Sequence, residues 1–506
     1  MNKQEKEDEK QDPACNVYDQ IMSLKMKTLL KVFLYSVVGP ILIYCLFFSF
    51  LYYQEQLIRV HTTVSKIKEG NPLYFVYAKS NDTGYLKHVF IVLESLGFKR
   101  TYNNSNWDLL WAHDYPFRVL SSNLNKLQTH QRVNHFPGCG YITNKVDLST
   151  TEGRYILPAF KIPEQNNEFL QYVKQHPEKM FVEKSNDHRG ISVKNISSIN
   201  ITATGSFVQE FIQRPLLVDG YKFDIGVYTV ITSVDPLRVY VYKGDALFRF
   251  CPVKYYPFDP DVLDKYVVGD DYLPIWNVPS LKHYYSKLKF SMKDSFDAYV
   301  RLQGKNPEKV WDSMYEAIKE ITLSKEGYIK EAVKRFGNGR NFFELVRIDF
   351  ALDEDLNVYM MEANMSPNLS SAHYPPNQLL YEQVIYNLFA LVGVGQRIRK
   401  DSLKIRNKME EEMEVADKNL MVLPELCIEC NDCFRVECQL CSPCFTTETK
   451  SILSQSYLEH QNKMNFQRIF PPPITKDMVL KDYTLRNQLL VRWYQGKCEL
   501  DHSWCS

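Results

Sequence analysis

The alternation of hydrophobic and polar positions predicts strands and helices that interleave along most of the chain. Short apolar runs bounded by turn residues predict strands, and apolar residues at three- or four-residue spacing predict helices. Strands are predicted over residues 72–78, 107–111, 180–184, 205–212, 223–232, 237–242, 344–352 and 358–364, and helices over residues 87–96, 307–335 and 377–394. Such interleaving indicates a mixed α/β (α+β) fold whose two lobes enclose a cleft.

An apolar segment without charged residues precedes this pattern, at residues 32–53. A helix needs about 20 apolar residues to cross a bilayer, so the segment is long enough to span one. A buried helix would normally show a polar face, and a cleaved signal peptide would have a shorter apolar run and a small-residue cleavage site. The pattern therefore favours a single transmembrane helix over both alternatives.

Charged residues on either side predict the orientation of this helix. Lys25, Lys27 and Lys31 precede it, whereas Glu55 and Arg59 follow it. The positive-inside tendency then predicts a single-pass type II membrane protein in which the residues after the helix are lumenal or extracellular, with the cytosolic face as the alternative. Five glycosylation acceptors agree with a glycoprotein, beginning at Asn81, Asn103, Asn195, Asn200 and Asn368.

These segments divide the chain into six predicted regions. They are a disordered cytoplasmic tail (residues 1–31), the transmembrane helix (32–53), a helical stalk (54–71), a folded α/β domain (72–399), a charged helix or linker (400–426) and a cysteine-rich tail (427–506). Hydrophobic residues make up 45% of the chain, which is typical of a globular protein. The formal net charge of +1 provides no overall field for nucleic acid, so no such partner is predicted.

The most informative segment is a predicted hairpin at residues 343–364, in which two apolar strands flank a turn-rich Asp-Glu-Asp-Leu-Asn sequence. Glu362 and Asn364 are two residues apart and therefore face the same side of their strand, and Asp349 on the partner strand can reach that side. Oxygen ligands of this kind suit Mg²⁺ held between protein and nucleotide phosphates. The alternative is a surface hairpin with a polar face, but unpaired carboxylates on buried strands would be costly without a cation.

The same hairpin carries a family resemblance. Its opening Phe-Glu-Leu (343–345) and its closing Met-Glu-Ala-Asn-Met-Ser-Pro (361–367) resemble the metal-binding strands of the tubulin-tyrosine-ligase-like family. The matches follow the family order over residues 75–395, which chance motif hits would rarely do. Three further blocks resemble that family, at residues 134–145 (beginning Asn-His-Phe-Pro-Gly), 208–217 and 222–243.

The resemblance implies an ATP-grasp fold and a ligase that uses ATP and Mg²⁺. By similarity to the polyglutamylase branch, it implies that glutamate is added to acceptor glutamate side chains through an acyl-phosphate intermediate. The implied acceptors are the C-terminal tails of α- or β-tubulin in microtubules, so the predicted partners are ATP, glutamate, tubulin and, through residues 32–53, a membrane. Two alternatives stay open: a nucleotide-binding pseudoenzyme that serves as a membrane-anchored binding module, and a lumenal ligase with a non-tubulin acceptor.

The resemblance also assigns roles to individual residues. Asp224, Arg249 and Glu362 are the expected catalytic residues, with Asp224 near the incoming amino acid and Arg249 near phosphate or the carboxylate substrate. Lys184 and Lys222 would contact the ATP phosphates. The expected metal ligands are Asp349, Glu362 and Asn364, and the expected nucleotide-binding residues are Lys184, Arg189, Gln209, Glu210, Phe211, Ile212, Lys222 and Asp224.

Three departures from the family fall within this expected site. The family usually reads Lys-Phe-Asp-X-Arg, whereas this chain ends the motif in Gly226. Losing such an arginine commonly costs about 10³-fold in rate, so Gly226→Arg is expected to raise activity. The loop after Lys184 contains a single glycine, and Trp276 stands where the family has a small hydroxyl residue. These departures leave catalysis open, while the intact metal ligands and lysines favour nucleotide binding.

Six cysteines lie within residues 427–444 at regular short spacings. In a cytosolic protein such a cluster would indicate a zinc site, to which His502 could contribute, and in a lumenal protein a set of disulfides. The predicted orientation favours disulfides, with Cys498 and Cys505 as further candidates.

Overall fold

Three sheets organise the described part of this computed structural model. The structure describes residues 71–506 apart from residues 105, 186–191, 195, 203–204, 338, 396–411, 431 and 476–477, together with residues 25–26 and 49. The described residues from position 71 onwards belong to one compact unit.

Sheet A is parallel and contains the first strands of this unit. Its order is β2-β1-β3-β4. A parallel pair needs a crossover connection, and a helix between the first two strands supplies it. The strands are β1 (Leu73–Tyr77), β2 (Lys99–Thr101), β3 (Leu109–Ala112) and β4 (Arg132–Val133).

Sheet B is a small antiparallel sheet with its own apolar core. Its strand order is β5-β8-β6-β7. Phe169, Phe181 and Val208 lie in its core and are fully buried. The strands are β5 (Ala159–Ile162), β6 (Phe181–Ser185), β7 (Ser192–Lys194) and β8 (Ser206–Glu210).

Sheet C is the largest sheet, and its long strand β10 pairs antiparallel with β9, β11, β12 and β14. Alternate residues of a strand face opposite sides, so β10 presents one set of side chains, including Phe223 and Ile225, to the apolar core and the other set to the opposite side. The strands are β9 (Leu217–Val218), β10 (Tyr221–Val234), β11 (Leu237–Tyr242), β12 (Leu247–Phe250), β13 (Leu273–Pro274), β14 (Glu344–Leu352), β15 (Val358–Asn364) and β16 (Phe466–Phe470).

Helices cover the sheets and complete the core. The longest, at residues 308–334, buries an apolar face against sheet C that includes Val310, Met314 and Ile318. The helices are α1 (Lys87–Ser95), α2 (Ser121–Leu124), α3 (Gly140–Thr143), α4 (Lys145–Ser149), α5 (Asn166–Gln175), α6 (Pro279–Lys282), α7 (Met292–Leu302), α8 (Glu308–Lys334), α9 (Gln378–Leu391), α10 (Asp417–Leu420), α11 (Pro424–Ile428), α12 (Thr447–Asn462) and α13 (Leu485–Leu500).

The predicted mixed α/β fold is confirmed. Strands β11, β14 and β15 have the predicted bounds, and α1 ends as expected before Gly97, whose φ of 85° is a left-handed conformation that glycine adopts easily. The strand expected at residues 107–111 begins later, at Leu109. Its first polar residue, Asp108, instead accepts a hydrogen bond from the Leu73 amide through its carboxylate (2.6 Å).

The predicted localisation is corrected. No helix among the described residues is long and apolar enough to span a bilayer, which contradicts a single-pass type II membrane protein with a lumenal or extracellular catalytic domain. The predicted span, residues 32–53, lies outside the described residues apart from Ser49, and so does the predicted stalk apart from Asn71.

The cysteine cluster forms disulfides, which is the alternative that was favoured over a zinc site. Cys498 pairs with Cys505 near the C-terminus. This pairing uses both thiols beside His502, so the three do not form a zinc site in this state. The other pairs are Cys427–Cys441, Cys430–Cys438 and Cys433–Cys444.

The C-terminal residues are attached to sheet C by a strand and by a buried ion pair. Strand β16 pairs antiparallel with β11. Behind this pairing, Arg238 on β11 donates two hydrogen bonds to Glu459 on α12 (2.8 and 3.1 Å), and each residue is at most 2% exposed. Thr232 and Tyr240 donate to the same carboxylate. The C-terminal helices are therefore held by specific polar contacts as well as by apolar packing.

Candidate functional site

A cleft between sheets B and C brings together most of the residues that the sequence singled out. Strands of both sheets carry most of these side chains. Its lining includes the predicted residues Lys184, Gln209, Glu210, Phe211, Ile212, Lys222, Asp224, Arg249, Asp349 and Glu362. Asn364 lies directly behind, where its side-chain amide donates to Asp349 (3.0 Å). Arg189 lies outside the described residues.

Three lysines point into one end of the cleft. Lys184 on β6 donates to Gln209 (2.8 Å), and Lys222 on β10 donates to the backbone carbonyl of Tyr266 (2.9 Å). Lys145, at the start of α4, lies 3.2 Å from a carboxylate oxygen of Glu362. Burial lowers the pKa of Lys184 to about 8, although Glu362 opposes this shift. Clustered ammonium groups in a half-buried cleft suit an anionic ligand with several phosphates.

Another part of the cleft lining is largely apolar. Phe211, only 7% exposed, packs against Phe258 and Tyr266 with ring centroids 5.6 and 5.8 Å apart. Glu210 accepts hydrogen bonds from Tyr172 (2.6 Å) and Lys179 (2.5 Å), so its charge is already paired. A flat apolar wall beside backbone groups at a strand end suits a planar ring such as adenine.

A charged network of Arg249, Asp224 and Asp349 also lines the cleft. Arg249 on β12 donates two hydrogen bonds to Asp224 on β10 (2.9 and 2.7 Å) and a third to Asp349 on β14 (2.8 Å). Burial raises the pKa of the Asp224 carboxyl against the opposing charge of Arg249. Arg249 is therefore held with its guanidinium plane fixed at the centre of the site.

Asp349 receives a second guanidinium from its own strand. Arg347 donates through Nε to Oδ1 (2.7 Å) and through Nη2 to Oδ2 (2.9 Å) of Asp349. Burial alone would raise the pKa of Asp349, but Arg347 and Arg249 together hold it below its usual range. Asp349 is thus ionised and already accepts four hydrogen bonds, counting the one from Asn364.

The predicted metal ligands differ in how well they fit Mg²⁺. Asp349 lies opposite Glu362 in the hairpin, and Arg347 lies opposite Asn364, so all four side chains share one face. Asn364 donates its amide to Asp349, which leaves its carbonyl oxygen as the ligand atom. Glu362 and Asn364 therefore offer hard oxygen atoms that fit the ion, whereas both oxygens of Asp349 are engaged by guanidinium groups.

Sequence reasoning missed two charged residues of the site, Lys145 and Arg347. Lys145 was visible within the matched block at residues 134–145, but its approach to Glu362 depends on tertiary structure. Arg347 could not be identified in advance, because its place among the site residues depends on strand pairing across the sheet. Residue spacing along the chain does not show that pairing. Trp276 packs on Tyr285 and Tyr374, and the described residues that line the cleft do not include it.

The balance of charge in the cleft is positive. Four cationic and four anionic side chains line it, while Arg347 and Lys179 bind two of these carboxylates from behind. The surplus of two positive charges favours a polyanionic ligand over a free cation.

Comparison with known proteins shows which family the chain resembles. Residues 122–401 match the Tubulin-tyrosine ligase family. The chain is 39% identical over 465 residues to a probable tubulin polyglutamylase, ttll-15, of Caenorhabditis elegans, covering 87% of this chain and 88% of that protein.

More distant relatives match over the central part of the chain. The tubulin monoglutamylase TTLL4 of Homo sapiens is 27% identical over 330 residues, which cover 60% of this chain and 27% of that protein. The tubulin polyglutamylase TTLL6 of Mus musculus is 25% identical over 339 residues, covering 62% of this chain and 39% of that protein. On the family match and the similarity to ttll-15, this chain belongs to the tubulin-tyrosine ligase family.

Proposed function

We propose that this chain is an ATP-dependent ligase that joins glutamate to glutamate side chains of tubulin. The observation that carries the proposal is the convergence of Lys145, Lys184 and Lys222 beside an apolar wall and above Glu362. That arrangement suits a nucleotide whose ring lies on the apolar wall and whose phosphates contact the lysines. The acceptor and the amino acid are inferred from relatives that are named tubulin polyglutamylases or monoglutamylases.

The proposed reaction has two steps. A carboxylate oxygen of the acceptor attacks the γ-phosphorus of ATP, which forms an acyl phosphate and releases ADP. The amine of the incoming glutamate then attacks the acyl carbon, so that an amide bond forms, phosphate leaves and the amine loses a proton. Negative charge develops on the phosphoryl oxygens during the first step, and fixed cations stabilise it most effectively in a cleft of low dielectric.

The positions of the site residues suggest a role for each of them in this reaction. Lys184 and Lys222 bind the phosphates, and Arg249, fixed by Asp224 and Asp349, presents its guanidinium to the reacting groups. Asp224 is the residue we place nearest the incoming amino acid. Glu362 and Asn364 would hold Mg²⁺, which supplies further positive charge to the phosphates when it is bound.

The test is incorporation of radiolabelled glutamate into purified tubulin by the full chain with ATP and Mg²⁺. The proposal expects ATP-dependent label in tubulin that is lost when Glu362→Gln removes the negative charge of one proposed metal ligand. Binding of ATP without incorporation into tubulin would instead favour a nucleotide-binding protein that performs no transfer. Failure to bind ATP at all would reject the ligase proposal.

Nucleotide affinity should fall with rising pH because Lys184 loses its charge near pH 8. Phosphate binds the protonated amine, so affinity is full below pH 8 and declines above it. If only the protonated form binds, Kd for ATP rises about tenfold from pH 7 to pH 9. Titration calorimetry at a series of pH values measures this change.

A conservative variant separates Lys184 from the other ionisable groups. Lys184→Arg keeps its charge throughout this range, so most of the pH dependence should disappear. Lys194→Arg, on the neighbouring strand β7 and paired with Glu183, should leave the pH dependence as in the wild type. An unchanged pH profile in Lys184→Arg would assign the titration to another group.

A further inference from the structure

Gly226 lies on β10 close to the cleft-lining residue Asp224, at the position where the family motif usually has arginine. It is two residues from Asp224, so both face the same side of β10. It pairs with Asp349 on β14. A Cβ atom at this position would lie 2.8 Å from Cδ of Arg347 and 3.1 Å from Oδ1 of Asp349. A side chain therefore cannot be added at position 226 while Arg347 keeps its place.

Arg347 fills this space with a guanidinium of fixed orientation. The residue is 6% exposed and binds both oxygens of Asp349 in a two-nitrogen fork. Burial opposes its charge, but the attraction of Asp349 outweighs burial and raises the pKa of Arg347. Asp349 is also bound by Arg249, so two guanidinium groups meet at one carboxylate.

We propose that Arg347 supplies from β14 the guanidinium that the family motif places at position 226 on β10, and that Gly226 is glycine because Arg347 occupies that volume. This inference rests on the proposed function and deepens it. Arg347 does not line the cleft. It is a positioning residue, which fixes Asp349 and through it Arg249.

The inference reverses the expectation that arises from sequence alone. If the motif arginine had simply been lost, Gly226→Arg would add a useful charge. With Arg347 in place, the same substitution forces two buried side chains into one volume and sets two like charges side by side. Overpacking of this kind typically destabilises a folded protein, and an additional buried charge increases the effect.

The experiment is a double-mutant cycle in the full chain with Gly226→Arg, Arg347→Ala and the two combined. Gly226→Arg should lower Tm by about 5 °C or more. Arg347→Ala should lower kcat for glutamate incorporation about tenfold or more and change KM for ATP less, because Arg347 does not line the cleft in which we place ATP. The double variant moves the guanidinium to β10 and should recover most of both losses.

Gly327→Arg is the matched control for adding an arginine in place of glycine. Gly327 lies on the exposed side of α8, and nothing lies within 4 Å of the position where its Cβ would be. This control should keep the wild-type Tm within about 2 °C, because surface substitutions have small effects.

Two results would overturn the inference. One is a Tm for Gly226→Arg equal to that of the control, and the other is a double variant whose losses in Tm and kcat equal the sum of the losses in the two single variants. The Tm values of the four proteins can be measured without catalysis. They therefore distinguish a lost arginine from one replaced by Arg347, even if the protein transfers no glutamate. Absence of ATP binding and incorporation in the wild type would reject the proposed function instead, and the two failures are therefore distinguishable.

Discussion

Replacing Arg249 with alanine is expected to lower the rate of glutamate incorporation about 10²- to 10³-fold, the usual loss when a preorganised charge is removed from a transition state. Arg249 donates to Asp224 and Asp349 at once and faces the cleft. Its removal takes away one cation and leaves the half-buried Asp224 without its two-nitrogen partner. The effect should fall on kcat, which initial rates at saturating ATP measure.

Arg249→Lys tests whether geometry or charge is responsible. Lysine keeps the charge but cannot bind a carboxylate through two nitrogens, so we expect partial activity, well below that of the wild type. Arg301→Ala removes an exposed arginine paired with Glu308 and serves as the control for loss of a cation. Activity of a folded Arg249→Ala protein within tenfold of the wild type would remove Arg249 from the mechanism.

Glu459→Ala should be among the most destabilising single substitutions in the C-terminal part of the chain, at about 3–5 kcal/mol. The substitution leaves Arg238, 1% exposed, as a buried charge without its carboxylate. It also removes the acceptor for Thr232 and Tyr240. Urea unfolding of the full chain, followed by tryptophan fluorescence, measures the loss.

The chain offers a matched control on the same helix. Glu448 on α12 also pairs with an arginine, Arg486, but is largely exposed, so Glu448→Ala should cost no more than about 1 kcal/mol. Replacing both members of the buried pair, in Glu459→Leu with Arg238→Met, should recover most of the stability because no buried charge remains. Equal losses in Glu459→Ala and Glu448→Ala would show that burial of the pair carries no special energy.

Much of the fold could be predicted because its local patterns agree with its tertiary structure. The strands β14 and β15 are apolar runs separated by a turn-rich segment, and the hairpin forms with the predicted bounds. Two-residue spacing on β15 correctly placed Glu362 and Asn364 on one face beside Asp349. These features depend on residues that are close together in the sequence, so they can be predicted from the sequence alone.

The position of Arg347 could not be predicted in this way. Its relation to Gly226 follows from the register between β10 and β14, whose residues are more than a hundred positions apart in the sequence. The missing arginine of the motif was visible, but the side chain that fills its place was not. The motif therefore showed the departure, whereas the packing around Gly226 leads us to expect the opposite consequence of Gly226→Arg.

The attachment of the C-terminal residues also escaped sequence reasoning. Strand β16 is five residues long and completes the edge of sheet C beside β11. Its partner is more than two hundred residues away, and neither strand shows which edge it will meet. The buried pair of Arg238 and Glu459 could not be predicted either, since neither residue lies in a recognisable motif.

Binding of ATP to the full chain, measured by titration calorimetry with and without Mg²⁺, tests the central claim most directly. The account predicts saturable binding at one site, weakened about tenfold or more by Lys222→Ala, which removes a phosphate-binding cation. A protein that is folded by circular dichroism yet releases no heat with ATP would contradict a nucleotide cleft between sheets B and C. Equal affinity in the wild type and Lys222→Ala would place the nucleotide elsewhere.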